Sequence, residues 1–244
     1  MKQFTFSKAV IPNSFTAMNI ICGFFSIVYA SMGSFKVAAI FIIIASIFDA
    51  LDGMVARFFK TSSKFGVELD SLSDVVSFGA APSFLIYKSY LFHYDFLGIV
   101  LSSFILVFGA FRLARFNVQL EDLETKHDFK GLPIPVQAIT LSTFIISFSR
   151  NGEIQTPYHN LIIPLILLLS FLMVSNVKYE TLPNLKNKSL RDKLIYLGVL
   201  IAGLILLVAT NGKILFYIFI SLVLFGIFRS LYNFLLNSFQ HKSE

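Results

Sequence analysis

From Ala9 to Phe35 the chain runs 27 residues without a charged side chain, and apolar blocks of similar length recur to its end. A block this long is not the stripe of a soluble helix, which carries polar residues on its opposite face. It suits a helix surrounded by hydrocarbon, for which roughly 20 residues are enough. In that setting only helices and closed barrels satisfy their backbone amides. The composition agrees, since 56% of the 244 residues are hydrophobic and 14% charged. That charged share is well below the roughly 25% of a soluble domain. The basic start MKQFTFSK invites comparison with a secretory leader, but the block that follows is too long for one and reads as a retained span.

Eight spans are expected, near residues 14–32, 37–59, 69–91, 96–116, 132–149, 157–177, 193–211 and 213–237. The expected fold is therefore all-α, a polytopic membrane helical bundle with about eight transmembrane helices. Residues 1–177 are expected to form a core of six spans. Residues 178–244 would supply a basic loop lying against headgroups and two further spans. The second, third and fourth spans reach full length only by including charged residues at one end: Asp49 and Asp52, Asp70 and Asp74, Arg112 and Arg115.

The net charge is +6, a balance that would suit nucleic acid if it were gathered on one face. Here Lys and Arg fall in short clusters between apolar blocks, a pattern that sets topology and meets anionic membrane lipids. No nucleic-acid partner is expected. With the N-terminus inside, sixteen of the 20 basic residues lie on inner segments, and only Lys36, Lys88, Arg150 and Lys213 lie outside. The carboxylate ends of spans two and three then face the cytoplasm, as does the Arg112/Arg115 end of span four. His93 and His159 fall on the far side, and His127 sits in a polar inner connector. Cys22, the sole cysteine, lies within the first block and reads as a small core residue.

The chemistry concentrates in Asp49-Ala-Leu-Asp52-Gly53-Met-Val-Ala56-Arg57, followed after eight residues by Gly66-Val-Glu-Leu-Asp70-Ser-Leu-Ser-Asp74. Asp49 and Asp52 are three apart and Asp70 and Asp74 four apart, so each pair shares a helix face. A short connection makes the two helices an antiparallel hairpin and lets all four carboxylates converge. Unpaired, they would repel one another and cost several kcal/mol each to desolvate. Hard divalent cations with oxygen ligands remove that conflict. Two ions sharing a carboxylate form the usual device for displacement at phosphorus. Gly53 and Ala56 leave a groove beside the carboxylates, Arg57 offers a planar fork to phosphate, and Thr61-Ser62-Ser63 offers hydroxyls. Any one of these features alone would be ordinary. A lone Asp caps a helix, a lone Gly-x-x-Ala packs one, and a lone Arg sets topology.

Taken together, the stretch resembles the CDP-alcohol phosphotransferase family, whose pattern D-x2-D-G-x2-A-R-x8-G-x3-D-x3-D it matches at every fixed position. The resemblance covers roughly the first six spans. It implies transfer of a substituted phosphate from a CDP-linked lipid to an alcohol, with release of CMP. It further implies that Asp49, Asp52, Asp70 and Asp74 hold two divalent ions, Mg²⁺ or Mn²⁺, and that Asp74 is also the general base. Gly53, Ala56, Arg57, Ser63 and Gly66 would line the CDP-lipid site, helped by Asn13 and Thr16 in the segment entering span one.

Within the family the chain looks most like the integral-membrane members that use L-serine as acceptor and CDP-diacylglycerol as donor. The supporting segments are Glu68-Leu-Asp-Ser-Leu-Ser-Asp-Val-Val-Ser-Phe-Gly-Ala-Ala-Pro82, Phe111-Arg-Leu-Ala-Arg-Phe-Asn117 and Gly131-Leu-Pro-Ile-Pro135. Ser73 departs mildly from the more usual Ala. Arg112 and Arg115, three apart on one helical face at the depth of the four Asp, are the candidates for the serine site, although both could instead bind lipid phosphate. The resemblance also suggests a homodimer in a bacterial plasma membrane. The alternatives are another acceptor (glycerol-3-phosphate, inositol or choline) and, from another class, a cation transporter or channel lined by the same carboxylates. The fixed spacing with Gly53 and Arg57 argues against the latter.

Overall fold

The computed structural model describes residues 10–59, 63–121, 131–150, 153–177, 179, 210 and 213–240. Helix α1 (Val10–Ser31) opens with Pro12 in its first turn, where a missing N–H costs nothing. It ends at Gly33, whose φ of 77° is left-handed. There the amide of Ser34 reaches the carbonyl of Tyr29 at 2.9 Å and that of Gly33 reaches Ala30 at 3.1 Å, which closes the helix end. The chain reverses directly into α2 (Phe35–Phe59), which lies along α1. Phe41 stacks on Tyr29 with ring centroids 5.3 Å apart and meets Phe25 edge-on at 5.4 Å.

The third helical segment is one rod in three parts: α3 (Lys64–Asp74), a π turn (Val75–Ala80) and α4 (Ala81–Ser89). Ser63 caps it, accepting the amide of Gly66 on its hydroxyl at 3.0 Å. Proline at 82 removes one donor and would crowd the carbonyl of Phe78 in a regular helix. The π turn relieves this, and the amide of Ala81 bonds Val76, five residues back. Segment 69–91 is thus longer at its start than its apolar content suggests, because the polar cap extends it into the interface.

A short 3-10 turn (Leu91–Tyr94) leads into α5 (Asp95–Glu121). Helix α6 (Ile134–Phe148) follows Pro133 and ends in a two-stranded hairpin, β1 (Ser149–Arg150) with β2 (Glu153–Ile154). A 3-10 turn (Tyr158–Leu161) precedes α7 (Ile162–Val174), and α8 (Lys213–Gln240) closes the described chain. Helix α6 is central: it packs on α2 and α8, while α7 packs on α5. The core between them contains Ile42, Phe78, Leu85, Ile105, Leu141, Phe144 and Ile166, all without exposure.

The outer surface is as apolar as the core. Phe24, Ile47, Phe96, Ile99, Phe225 and Phe228 are exposed there, a surface that lipid solvates and water does not. Four helical stretches, Pro12–Ser31, Phe35–Ala56, Leu91–Val118 and Lys213–Asn233, are long and apolar enough to cross a bilayer, and Ile134–Phe148 and Tyr158–Val174 are shorter. The protein is an integral membrane helical bundle, with one two-residue strand pair as its only sheet among the described residues. These helical stretches do not add up to the expected eight spans, and the span expected at 193–211 lies almost wholly outside the described residues.

Candidate active site

Helices α2 and α3 both pack on α1, and their carboxylates converge beside it. Oxygens of Asp49, Asp70 and Asp74 all lie within 4.8 Å of one another. Asp52, one turn along α2 from Asp49, is 6% exposed and Asp74 8%. Asp52 is held from α1, since the Thr16 hydroxyl donates to its Oδ2 at 2.9 Å. Three helices therefore build the acidic end, with α1 orienting Asp52 from behind.

Two further hydroxyls fix the height of the rod against α1. Ser73 donates to the carbonyl of Thr16 at 3.3 Å, and Ser77 donates to that of Asn19 at 2.9 Å. On the opposite side Asn117 of α5 donates its Nδ2 to the Ser71 hydroxyl at 3.0 Å. Asp70 and Asp74 thus sit on a helix braced from both flanks. Such bracing keeps mutually repelling carboxylates in place.

The residues expected around the CDP-lipid fall at the same end. A Cβ added at Gly66 would lie 3.2 Å from the Ser63 hydroxyl and 3.4 Å from Asn13 Oδ1, so these three converge at the start of α3. Gly53 and Ala56 follow Asp52 on α2 and are half-buried. Thr16 is turned to Asp52 and also bonds the Pro12 carbonyl at 3.2 Å. The side chain of Arg57, with Thr61 and Ser62, lies outside the described structure.

Beside the acidic cluster opens a cavity of about 260 Å³. Asp70, Ser71 and Asp74 form one wall, Arg112 and Phe116 another, and Gly131, Pro133, Pro135 and Tyr179 the rest. The two arginines of α5 diverge. Arg112 lines the cavity, and its Nε is buried without a hydrogen-bond partner. Arg115 reaches across to α7, where Nη1 donates to the carbonyl of Val174 at 3.0 Å and Nη2 to that of Ser175 at 3.5 Å. Those carbonyls end a helix and welcome a cation.

Gly131 makes this approach possible. Its φ is 88°, its amide bonds Val177 at 2.8 Å, and a Cβ there would collide with the carbonyl oxygen of Met173 and crowd Arg115 Nη2 at 3.0 Å. In the sequence Gly131, Pro133 and Pro135 are marks of resemblance, the two prolines also opening span five, and sequence reasoning misses Tyr179 and the bond between Ser71 and Asn117. Asn117 is visible in the sequence as the end of the Phe111–Asn117 segment beside the two arginines, but its partner Ser71 is not. Nothing local signals Tyr179.

The donor set fits a divalent cation. Asp70 Oδ1 and Asp74 Oδ1 are buried without a hydrogen-bond partner, a costly condition for like-charged groups that an ion would relieve. Fold and site together define a membrane-embedded protein with an oxygen-ligand cluster able to hold metal at one end of its bundle.

Comparison with known proteins narrows the class. The family model for CDP-alcohol phosphatidyltransferases matches residues 9–180. A CDP-diacylglycerol–serine O-phosphatidyltransferase of Helicobacter pylori (strain ATCC 700392 / 26695) is 37% identical over 196 residues, 80% of this chain and 81% of its own. An archaetidylserine synthase of Methanothermobacter thermautotrophicus is 36% identical over 177 residues, covering 71% and 70% of the two chains. A CDP-diacylglycerol–serine O-phosphatidyltransferase of Bacillus subtilis is 36% identical over 174 residues, covering 69% and 89%. The chain belongs to the CDP-alcohol phosphatidyltransferase family.

Proposed function

We propose that the protein transfers the phosphatidyl group of CDP-diacylglycerol to the hydroxyl of L-serine, giving phosphatidylserine and CMP. The observation that carries this reading is the convergence of Asp49, Asp70 and Asp74 beside an arginine-lined cavity, in a chain whose relatives are named for this reaction.

Asp49, Asp52, Asp70 and Asp74 would hold two divalent ions, Mg²⁺ or Mn²⁺, which neutralise charge on the pyrophosphate when bound. Asp74 faces the cavity with a buried, unpartnered oxygen, and takes the proton of the serine hydroxyl there. The serine oxygen forms its bond to the lipid-side phosphorus as the bond from that phosphorus to the bridging oxygen breaks. The electron pair departs with CMP. Asn13, Gly53, Ala56, Arg57, Ser63 and Gly66 cradle the CDP group, and Thr16 orients Asp52. Arg112 takes the carboxylate of serine, a planar pairing that its fork suits. Arg115 acts at one remove by fixing the end of α7.

The distribution of basic residues supports a cytoplasmic location for this end of the bundle, and the family resemblance supports a homodimer as the working unit. Single cysteines at Ser63 and Ser34 in a Cys22→Ser background test the orientation. An impermeant thiol reagent applied from outside should label position 34 and spare position 63, and the reverse pattern would invert the topology.

The activity is tested by CMP release from CDP-diacylglycerol with and without L-serine. Release is expected with serine and not with glycerol-3-phosphate, inositol or choline. Release with one of those alone would reassign the acceptor. Ion flux without CMP would point to a channel.

A further inference from the structure

The family model ends at residue 180, yet the described chain continues into α8, which packs on α6. One contact joins α8 to the cavity. Tyr179 lines that cavity, and its hydroxyl donates to the carbonyl of Val223 on α8 at 3.2 Å. Val223 itself has no exposure. Its carbonyl also belongs to the helix, so the tyrosine bond is an addition to the ladder rather than a replacement for it.

One turn further along α8 stands Gly226. A Cβ there would clash with the Tyr179 ring, meeting Cζ at 2.7 Å and Cδ1 at 2.8 Å. The glycine is thus a notch that receives the ring. Burial pushes the Tyr179 phenol up to about 12, so it remains a donor and contributes no charge to the cavity. Hydroxyl and ring are both tied to α8, and the residue they fix lines the space shared by Asp74 and Arg112.

We propose that α8 forms part of the acceptor site: the Gly226 notch and the Val223 carbonyl seat Tyr179 as a wall that sets the size of acceptor the cavity admits. This rests on reading the cavity as the serine site. A hydroxy amino acid fits between Arg112, Asp74 and this wall, and a longer or branched acceptor meets the ring. Tyr179 is then the residue that selects by size, and Gly226 positions it.

The test uses the full-length protein in detergent–lipid micelles, with CMP release followed against serine and against threonine and homoserine. Gly226→Ala displaces the ring into the cavity and should raise the KM for serine roughly 5- to 10-fold, with the KM for CDP-diacylglycerol within about twofold of normal. Tyr179→Ala removes the wall and should raise the kcat/KM of threonine or homoserine relative to serine about tenfold. Tyr179→Phe keeps the ring and loses only the tie to Val223. It is the mild variant to use if the others fail to fold, and should raise the serine KM two- to fivefold. If serine KM and acceptor preference stay unchanged in whichever of these variants fold, while Arg112→Lys raises the serine KM, the wall is disproved and the acceptor cavity stands. If Arg112→Lys also leaves the serine KM unchanged, the cavity is not the serine site and the wall falls with it.

Discussion

The rod formed by α3, the π turn and α4 has titratable groups at both ends, and the two ends differ. At its start Asp70 and Asp74 meet Asp49 within 4.8 Å and leave buried oxygens without partners. Just beyond its finish, about 24 Å from Asp74 at the rise of a helix, Tyr90, His93, Tyr94 and His159 gather. There the hydroxyls of Tyr90 and Tyr94 lie 3.1 Å apart, His93 Nδ1 lies 2.9 Å from the Tyr90 carbonyl, and the His159 ring is 5.6 Å from that of Tyr90. The second end meets its polar needs locally. The first is held open by Thr16, Ser73 and Asn117, which brace the helices without neutralising the carboxylates. Unmet valence, rather than a count of ionisable residues, separates a site from a polar end.

The largest effect that would break this contrast belongs to Asp74. On the proposed mechanism, replacing it by Asn keeps the shape and would remove both a base and a metal ligand, so turnover should fall about 10²-fold or more. CMP release in the presence of CDP-diacylglycerol, serine and Mg²⁺ measures it. Near-normal release would take Asp74 out of the chemistry and reduce the cluster to a structural curiosity.

Arg112 and Arg115 sharpen the same contrast at a distance of three residues. Arg112→Lys should raise the serine KM roughly 30-fold, the cost of about 2 kcal/mol for a lost charge-assisted, bidentate contact. Arg115→Lys should change the serine KM much less and lower the melting temperature instead, because its bonds go to the end of α7. Equal effects of the two on serine kinetics would show that position on the helix face, rather than the cavity, decides their role.

That pair also marks how far the sequence can be read. Residues three and four apart on helices are neighbours by geometry alone, so the carboxylate pairs are legible from spacing. So are seven of the helical segments, because lipid demands long apolar runs and little else does. What separates Arg112 from Arg115 is where α7 stops, a tertiary fact with no local trace. The π turn is hidden for a similar reason: Pro82 announces a disturbance, but how the ladder absorbs it depends on Gly79 lying against Leu106 of α5. Tyr179 is out of reach altogether, since its partners Val223 and Gly226 lie more than forty residues away in sequence.

Thr16 tests whether bracing matters as much as ligation. Its hydroxyl is the donor to Asp52 Oδ2 at 2.9 Å, and a residue that orients a metal ligand is commonly worth tenfold or more in metal affinity. Thr16→Val keeps the volume and deletes the donor. The Mg²⁺ or Mn²⁺ concentration giving half-maximal CMP release should rise about tenfold, with kcat recovered at saturating metal. An unchanged metal titration would mean that Asp52 is held well enough by its own helix.

The smallest effect is expected at the opposite end of the rod, and it is informative for that reason. His93 is a good ligand and a good base by chemistry, and it sits among two tyrosines and a second histidine. Its Nδ1 is already occupied by the Tyr90 carbonyl, and about 24 Å of helix separate it from Asp74, far beyond the reach of any proton transfer in the displacement. His93→Ala should therefore leave kcat and both KM values within about twofold of normal, and cost stability no more than about 1 kcal/mol, the worth of one hydrogen bond. A fall in turnover tenfold or larger, with the melting temperature unchanged, would mean that the two ends are coupled along the rod. The π turn between them would then be the element to examine.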